Sequence, residues 1–557
     1  MNYVIYGANR VAKDFLYMFD KIRPLYFIED ELPDALFLGY RVKSLEAALC
    51  EKEHKQIIIC DFEKEDKERR LQAHSLCYGT DYIYEEDFFV ELDDIHVPIN
   101  RKLAVWGTGR AATLFAKWNR EYTISAYIDN FKSQECFCDV QIKAPEEITD
   151  WKEYFIIIAV DRDTNIVMQL QKLGLRINED FVNYQKIMGL PSKMLRQTIF
   201  DRSYYDLDCK TMLNHLEIIS EGHTRCCCTT FVRQNLDSVF EKSAEALWHS
   251  NLHKIMCLST ENRTFTFCDH SMCPLFVAKE QETVQLRPEQ YQSMSEMPKV
   301  LALGYDPTCN LACSTCRDKV CAVQGAELER VQKITKIVEN EYLPVCNFLI
   351  LAGDGEVFAS PNYREIYESS RCNPQYIRLL SNGMLFTPRN WERLIKGKTG
   401  KVMLTVSVDA ATKSTYEHIR RNGNFDILQR NMEFAADLRK KGMLQYFRMN
   451  FVVQRENFEE MIPFVQWGKQ LGVDEVFFTK ILNWGTYSDE QFKEISMMES
   501  DGITPKPGLK RILDHPVIKS EIVDLGTIRY SHKMDEVDAV DNYYKWELEK
   551  RGGRLFL

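Results

Sequence analysis

Between residues 299 and 480 the chain alternates six times between a short apolar run and an amphipathic segment. The runs are 299–306, 347–353, 376–382, 402–409, 448–454 and 475–480, and segments such as 326–340 and 457–471 carry helical periodicity between them. Strands that alternate with helices pair in parallel, because each helix crosses one face of the sheet to start the next strand beside the last. Six such units predict an α/β fold with a partial (β/α)6 barrel, whose ligands gather at the C-terminal ends of its strands. The polar motifs of the region fall at such ends, and that agreement carries more weight than any one of them.

The first run leads into Cys309-Asn310-Leu311-Ala312-Cys313-Ser314-Thr315-Cys316, three thiols at C-x₃-C-x₂-C spacing in one tight loop. Thiolates this close can converge on one iron–sulfur cluster. A four-iron cube held by three cysteines keeps one iron without a protein ligand, and an open iron invites chemistry. The competing explanations are structural zinc, which closes with four ligands, and buried thiols packed as small hydrophobes. Of eighteen cysteines, eleven lie between Cys209 and Cys321 and none follows Cys372. In a 557-residue chain such clustering reads as metal or redox use, not as a disulfide framework. The N-terminal Met1-Asn2-Tyr3-Val4-Ile5-Tyr6-Gly7 enters a strand directly and lacks the pattern of a secretory signal. No apolar run approaches the ~20 residues of a membrane span. A cytoplasmic protein without membrane contact is expected, and the net charge of −11 gives no support to a nucleic-acid surface.

The cysteine loop and the motifs after it resemble the signature of the radical S-adenosylmethionine (SAM) enzymes over residues 297–483. The resemblance implies a [4Fe–4S] cluster on Cys309, Cys313 and Cys316, with SAM on its open iron. Gly353-Asp354-Gly355-Glu356 stands where relatives carry Gly-Gly-Glu, which meets the SAM amino group. Ser381-Asn382-Gly383 ends the third run where relatives often have Thr-Asn-Gly, near the ribose. Ser407 resembles a serine that bonds SAM, whereas Asp409 reads as a cap for the following helix. Arg420 or Arg421 would pair the SAM carboxylate bidentately, and the adjacent arginines leave that choice open. Gln454, with Asn450, offers a further polar contact on the fifth run. Such enzymes cleave SAM reductively, and the resulting 5′-deoxyadenosyl radical takes hydrogen from an unactivated carbon. An external one-electron reductant such as flavodoxin or ferredoxin is therefore implied.

Upstream, residues 216–228 read as a hairpin: a strand, a Glu221-Gly222 turn, and a strand ending in Cys226-Cys227-Cys228. Cys209 precedes it and Cys268-x₄-Cys273-Pro274 follows. This layout resembles the SPASM/twitch auxiliary modules attached to many radical SAM enzymes. Matched residue by residue, it implies a second [4Fe–4S] cluster on Cys209, Cys227, Cys268 and Cys273. Cys226 is an alternative within the triplet, and Cys228, Cys257 and Cys321 are left as spares. In most relatives the module follows the barrel; here it precedes it. With four protein ligands such a cluster has no open iron, so electron transfer is its natural role. A four-cysteine zinc ribbon is the alternative.

Residues 1–190 contain an internal repeat at an offset of 100, with one added residue in the third matched stretch of copy two. Val4-Ile5-Tyr6-Gly7 returns as Ala104-Val105-Trp106-Gly107, Phe27-Ile28-Glu29 as Tyr127-Ile128-Asp129, and 57–61 as 156–161. Each copy reads as a Rossmann-like βαβ unit with an acid 22 residues after its first glycine, where it could bond a ribose. The dinucleotide fingerprint is degraded, however. Copy two keeps Gly107, Gly109 and Ala112, while copy one has only Gly7 before Ala8-Asn9-Arg10-Val11-Ala12. A pyrophosphate needs close backbone approach at the helix start, so docking of a partner or substrate is the preferred role. Copy two also resembles the small N-terminal domain of bacterial sugar acyltransferases.

The expected organisation is two Rossmann-like repeats (1–98 and 99–195), a cysteine-rich SPASM/twitch-like module (200–285), the partial barrel (295–500) and a C-terminal extension (501–557). The extension begins near Pro505-Lys506-Pro507 and carries Tyr543, Tyr544 and Trp546. The expected function is a radical SAM oxidoreductase or maturase acting on a peptide or a carbohydrate. A non-catalytic iron–sulfur or zinc protein with partner-binding repeats, and a nicotinamide enzyme built on the repeats, are its competitors.

Overall fold

The computed structural model describes residues 2–187, 209–276 and 295–528, apart from short stretches within them. Three sheets organise these residues. The first repeat contributes β1 (Tyr3–Tyr6), β2 (Pro24–Ile28), β3 (Leu36–Phe37), β4 (Tyr40–Lys43), β5 (Gln56–Ile59) and β6 (Tyr82–Tyr84). The second contributes β7 (Lys102–Trp106), β8 (Ile124–Ile128), β9 (Cys136–Phe137), β10 (Val140–Lys143), β11 (Tyr154–Ile158) and β12 (Phe181–Asn183). Their orders, β3-β4-β2-β1-β5-β6 and β12-β11-β7-β8-β10-β9, are one topology read from opposite edges. Both central strands, β1 and β7, are covered on two faces, which is why their sequences run apolar without alternation.

The glycines after β1 and β7 have a packing role. Gly7 and Gly107 adopt φ of +131° and +117°, and a Cβ there would lie 2.1 Å from the Cys60 carbonyl oxygen and 2.7 Å from that of Ala159. The chain leaving the neighbouring strand passes too close for any side chain. The acids placed to meet a ribose are already engaged. In copy one Lys67 Nζ lies 2.9 Å from Glu29 and 3.2 Å from Asp61, over the Tyr6 ring. In copy two the Thr108 hydroxyl donates to Asp129 at 2.6 Å.

The third sheet has nine strands. They are β13 (His215–Ile219), β14 (Thr224–Arg225), β15 (Val300–Gly304), β16 (Phe348–Leu351), β17 (Tyr376–Ser381), β18 (Lys401–Ser407), β19 (Leu444–Val453), β20 (Glu475–Lys480) and β21 (Val523–Asp524). The six expected strands are β15 to β20, in sequence order and all parallel. Their crossovers include helices Gly325–Ile337, Pro361–Glu368, Pro388–Ile395, Phe425–Lys440 and Met461–Leu471. The hairpin expected at 216–228 forms as β13 and β14, but β13 also pairs in parallel with β15 from His215↔Val300 to Ile219↔Gly304. The sheet thus runs on into the cysteine-rich segment, which supplies the partner that the exposed edge of β15 requires. Among the described residues the sheet is open, with β14 and β21 at its ends.

Burial alternates along β16, β17 and most of β19 and β20, while on β18 Thr405 is buried as well. Leu349, Ile377, Leu379, Leu404, Phe447 and Phe478 are buried beneath the helices. Their neighbours in sequence (Ile350, Arg378, Met403, Arg448 and Phe477) remain half-buried on the opposite face. A parallel sheet is ordinarily covered on both sides, so this second face is set apart.

The two repeats attach differently. Val11, Phe15 and Met18 of helix Arg10–Met18 share a buried apolar cluster with Leu252 and Ile255 of helix Asn251–Glu261. The second repeat meets the cysteine-rich segment through charge, with Lys186 2.6 Å from Asp237 and His223 3.5 Å from Asp163. Among the described residues no helix is long and apolar enough to cross a membrane. Tyr543, Tyr544 and Trp546 lie outside the described residues.

If the glycines serve packing, Gly107→Ala will lower the thermal midpoint by more than ~1 kcal/mol of stability, since left-handed backbone and a carbonyl clash combine. Gly109→Ser, at an extended N-cap with open space around it, will be neutral or stabilising. Equal effects at the two positions would contradict this.

A candidate cofactor site at the C-terminal edge of the large sheet

The cysteine loop is built from a buried turn after β15. The Asp306 carboxylate accepts from the Thr308 N–H at 2.9 Å, the Asn362 amide at 2.8 Å and the Ser360 hydroxyl, while its own N–H donates to the Tyr363 hydroxyl at 3.1 Å. Cys309 then exchanges backbone hydrogen bonds with Cys321 at 2.8 and 3.2 Å, which closes the loop. The N–H groups of Cys316 and Arg317 both donate to the Cys313 carbonyl at 3.0 Å, a single turn that presents Cys313 and Cys316 on one side. Cys313 is buried, Cys309 half-buried and Cys316 exposed. Burial pushes the Cys309 thiol above its ordinary value, with Arg317 opposing.

Three arginines hold this loop. Arg317 Nε donates to Cys316 Sγ at 3.4 Å, and its fork reaches the carbonyls of Pro307 (2.6 Å) and Asp354. Arg421 is exposed and bonds the carbonyls of Ala312 at 2.6 Å and Arg317 at 2.8 Å. Arg420 turns inward, with Nη1 3.6 Å from Cys313 Sγ and Nη2 2.6 Å from Asp409. Burial opposes its charge, but Asp409 and the Cys313 thiol more than offset this and hold the guanidinium above its ordinary value. The adjacent arginines therefore divide the work: one faces the thiol, the other staples the backbone.

Asp409 does not cap the following helix. Thr412 takes that place, its hydroxyl accepting from the Thr415 N–H at the start of helix Lys413–Ile419. Asp409 is buried with φ of +66°, and it accepts from the Val452 N–H at 2.8 Å as well as from Arg420. Aspartate visits left-handed backbone more readily than most residues, and the ion pair is one of the contacts that hold it there.

The turn Gly353-Asp354-Gly355-Glu356 lies against the start of the cysteine loop. A Cβ on Gly353 would fall 2.3 Å from Gly304 Cα, and one on Gly355 2.2 Å from the Asp306 carbonyl oxygen. Glu356 is buried and accepts from the Ser381 hydroxyl (2.8 Å) and the Asn382 N–H (2.6 Å). Burial raises its carboxyl above the ordinary value against those bonds. Asn382 reaches back to Asn310 at 3.0 Å and lies 3.8 Å from Cys309 Sγ. Ser407 is paired in register with Asn450 at the rim of the half-buried face. Gln454 is fully buried, and among the described residues neither atom of its amide nor Asn450 Oδ1 finds a hydrogen-bond partner. A buried unsatisfied amide costs about 1–3 kcal/mol, and a polar ligand at this rim would satisfy it. The residues present fit a SAM-like group.

The cysteine-rich segment gathers a second set of thiols. Burial pushes Cys268 well above its ordinary value, and Cys273, Cys227, Cys209 and Cys226 act in the same direction. Cys227 is raised in turn by burial and by the thiols of Cys226, Cys228, Cys273 and Cys209, and Cys226 by burial and the thiols of Cys257 and Cys209. Phe265 and Phe276 pack against Cys209, Cys268 and Cys273. Buried thiols whose ionised forms repel one another can release their protons when a cationic centre takes their place. Pro274 lies outside the described residues. Among the described residues no three Cys, His, Asp or Glu side chains sit at the spacing of a single bound ion. Ligands of a four-iron cube address separate irons and stand further apart.

Sequence reasoning missed Asp306, Ser360, Asn362, Tyr363, Arg317 and Tyr487, whose hydroxyl donates to the Ser314 carbonyl at 2.9 Å. The arginine directly after Cys316 and the aspartate three residues before Cys309 were the available signals; the others act from helices and loops distant in sequence. If the Asp409–Arg420 pair holds the site, Asp409→Asn will cost about 3 kcal/mol, as removal of one partner of a buried pair does. An unchanged thermal midpoint would contradict that.

No family model matches the chain. The mycofactocin maturase MftC of Mycobacterium tuberculosis is 26% identical over 184 residues, which cover 33% of this chain and 45% of that protein. The chain thus spans under half the length of the curated relative it matches. Streptococcus suis SuiB bound to its precursor peptide SuiA overlaps 46% of this chain and 48% of its own, at 12% identity and a TM-score of 0.26. The protein anSMEcpe with bound AdoMet overlaps 33% of this chain and 52% of its own, at 18% identity and a TM-score of 0.25. Over one third of its length the chain is homologous to the mycofactocin maturase, and this bears out its resemblance to the radical SAM enzymes with auxiliary clusters.

Proposed function

We propose that the chain is a radical SAM maturase that oxidises or otherwise modifies an unactivated carbon of a peptide. The observation that supports this most is the meeting of four features at one sheet edge: the three-cysteine loop, the inward Arg420, the buried Glu356 and the unsatisfied Gln454. On this reading the nine-stranded sheet curls into a partial barrel around its half-buried face. Cys309, Cys313 and Cys316 hold the first [4Fe–4S] cluster. Gly353, Asp354, Gly355, Glu356, Ser381, Asn382, Ser407, Arg420 and Gln454 line the SAM site, while Arg421 serves the loop backbone. Cys209, Cys227, Cys268 and Cys273 hold the second cluster.

When bound, cluster and SAM supply the one-electron cleavage that generates a hydrogen-abstracting radical. The protein's share is positioning. Asp409 keeps Arg420 in place against the Cys313 sulfur. Arg317 and Arg421 fix the loop backbone, so the thiols keep one arrangement without a ligand's help. Glu356 ties the glycine turn to the end of β17, which sets the distance between them. Gln454 and Asn450 offer amide atoms that a polar ligand can satisfy. The second set of cysteines sits beside β13 and β14, where electrons can pass between an external reductant or the substrate and the first site. The peptide is favoured over a carbohydrate because the homologue is a maturase. The tandem repeats then serve in docking, and the last three of the five segments share one sheet, since β13, β14 and β21 carry it beyond residues 295–500 at both ends.

Anaerobic reconstitution with iron and sulfide tests this. About eight irons per chain are expected for two cubes, with 5′-deoxyadenosine formed from SAM and dithionite by the wild type and not by Cys313→Ala. About four irons with cleavage would remove the second cluster. Zinc, or iron without cleavage, would overturn the enzyme.

A further inference from the structure

The half-buried face of the large sheet carries two arginines that the cofactor site does not use. Arg378 on β17 and Arg448 on β19 project from the side that bears Ser407 and Asn450 at its rim, as the register through Met403↔Tyr446 and Thr405↔Arg448 requires. Arg378 lies 5.3 Å from the centre of the Phe348 ring, and its hydrogen bond goes to the Met403 sulfur at 3.8 Å, a weak acceptor. Among the described residues it has no carboxylate partner. Arg448 lies 3.5 Å above the Phe477 ring with Nε 3.4 Å from Glu475, and that carboxylate is shared with the Tyr446 hydroxyl. Burial pulls the Arg448 guanidinium below its ordinary value, Glu475, Tyr446 and Asp524 oppose this, and Arg378 pushes the same way as burial. Asp524 in turn accepts from the Gly526 N–H at 2.8 Å. Glu217 shares the row of Arg378 but stands three strands away, roughly 14 Å at the usual strand spacing. Two guanidinium forks therefore face the same aromatic-walled surface, one without any anion and one with a divided anion.

We infer that this face binds the peptide substrate and that Arg378 and Arg448 grip an Asp or Glu side chain of that peptide. The inference rests on the proposal above that the rim holds SAM. Charge complementarity selects the occupant. A guanidinium fork matches a carboxylate bidentately, and the rings of Phe348, Tyr376, Tyr446 and Phe477 supply apolar contact for the flanking chain. The geometry sets the reach. Arg448 stands two residues below Asn450, and Arg378 four positions below Asn382, so the forks lie roughly 7 and 13 Å beneath the rim at ~3.3 Å per residue. A peptide whose reacting carbon sits at the rim would place an acidic side chain one to a few residues away against them.

The test uses the full-length reconstituted chain and two labelled probes, an oligo-glutamate peptide and its oligo-glutamine counterpart, with binding followed by fluorescence anisotropy at low salt. The acidic probe is expected to bind at least roughly tenfold more tightly, a difference that salt weakens. Arg378→Met and Arg448→Met should each remove most of the preference, and Arg378→Lys should retain part of it. Equal affinity for the two probes, or a full preference in both Met variants, would overturn the inference. So would a wild type that binds neither probe while a full-length chain with Asp535→Asn, Glu536→Gln, Asp538→Asn and Asp541→Asn binds the acidic one, since the chain's own acidic segment would then be the occupant. Nucleoside formation by the same wild-type preparation keeps the two proposals apart. Cleavage of SAM without a probe preference sinks the anion site alone, and a preference without cleavage sinks the cofactor reading alone.

Discussion

The site depends on one buried ion pair. Asp409 and Arg420 leave different parts of the chain, the end of β18 and the end of the following helix, and meet 2.6 Å apart beneath Cys313. Taking both charges out of water is costly, and the attraction repays it only when the geometry is good and the remaining polar atoms are met. Asp409 meets that through the Val452 N–H, and Arg420 in part through the Cys313 thiol, its Nε having no hydrogen-bond partner among the described residues. The pair thereby joins β18, β19 and the cysteine loop into one unit. The guanidinium so fixed lies 3.6 Å from a sulfur of the three-cysteine loop. Stability and chemistry thus draw on the same contact.

Around this unit the chain distributes its burial unevenly. One face of the large sheet is covered by helices and fully apolar, as parallel sheets require. The opposite face keeps arginines, aromatics and amides half-exposed. The first repeat joins the same apolar cluster as the large sheet, whereas the second meets the cysteine-rich segment through Lys186, Asp237, Asp163 and His223. Both junctions are buried, one through apolar packing and the other through charges that salt screens only weakly. The repeats share a topology but are held by different forces.

Much of this was legible in the residues. The six parallel strands followed from the alternation of runs and helices, and the duplication from an offset of 100 that the two sheet orders repeat. The resemblance to radical SAM enzymes, read from the cysteine loop and the Gly-Asp-Gly-Glu turn, is borne out by the maturase homologue. Other features were hidden for physical reasons. Asp409 looked like a helix cap because helix caps and buried ion-pair partners draw on the same residue type, and only the left-handed backbone at that position separates them. The extension of the sheet through β13 was missed because edge pairing depends on which strand comes near in space, and 215–219 and 300–304 are far apart in sequence. Arg378 and Arg448 carried no signal of their own, since a half-buried arginine on a strand reads as ordinary alternation until the opposite face is seen to be covered.

The central claim is that Cys309, Cys313 and Cys316 hold a cluster with one iron left for SAM. The most direct measurement is electron paramagnetic resonance of the dithionite-reduced protein with and without SAM, made on a full-length chain carrying Cys227→Ala and Cys268→Ala so that the first cluster is seen alone. Ligation of SAM to the open iron alters that iron's coordination, so the g-values of the reduced cluster should shift on adding SAM. A cluster signal that SAM leaves unchanged would contradict the account, and so would a chain that takes up no iron at these three thiols.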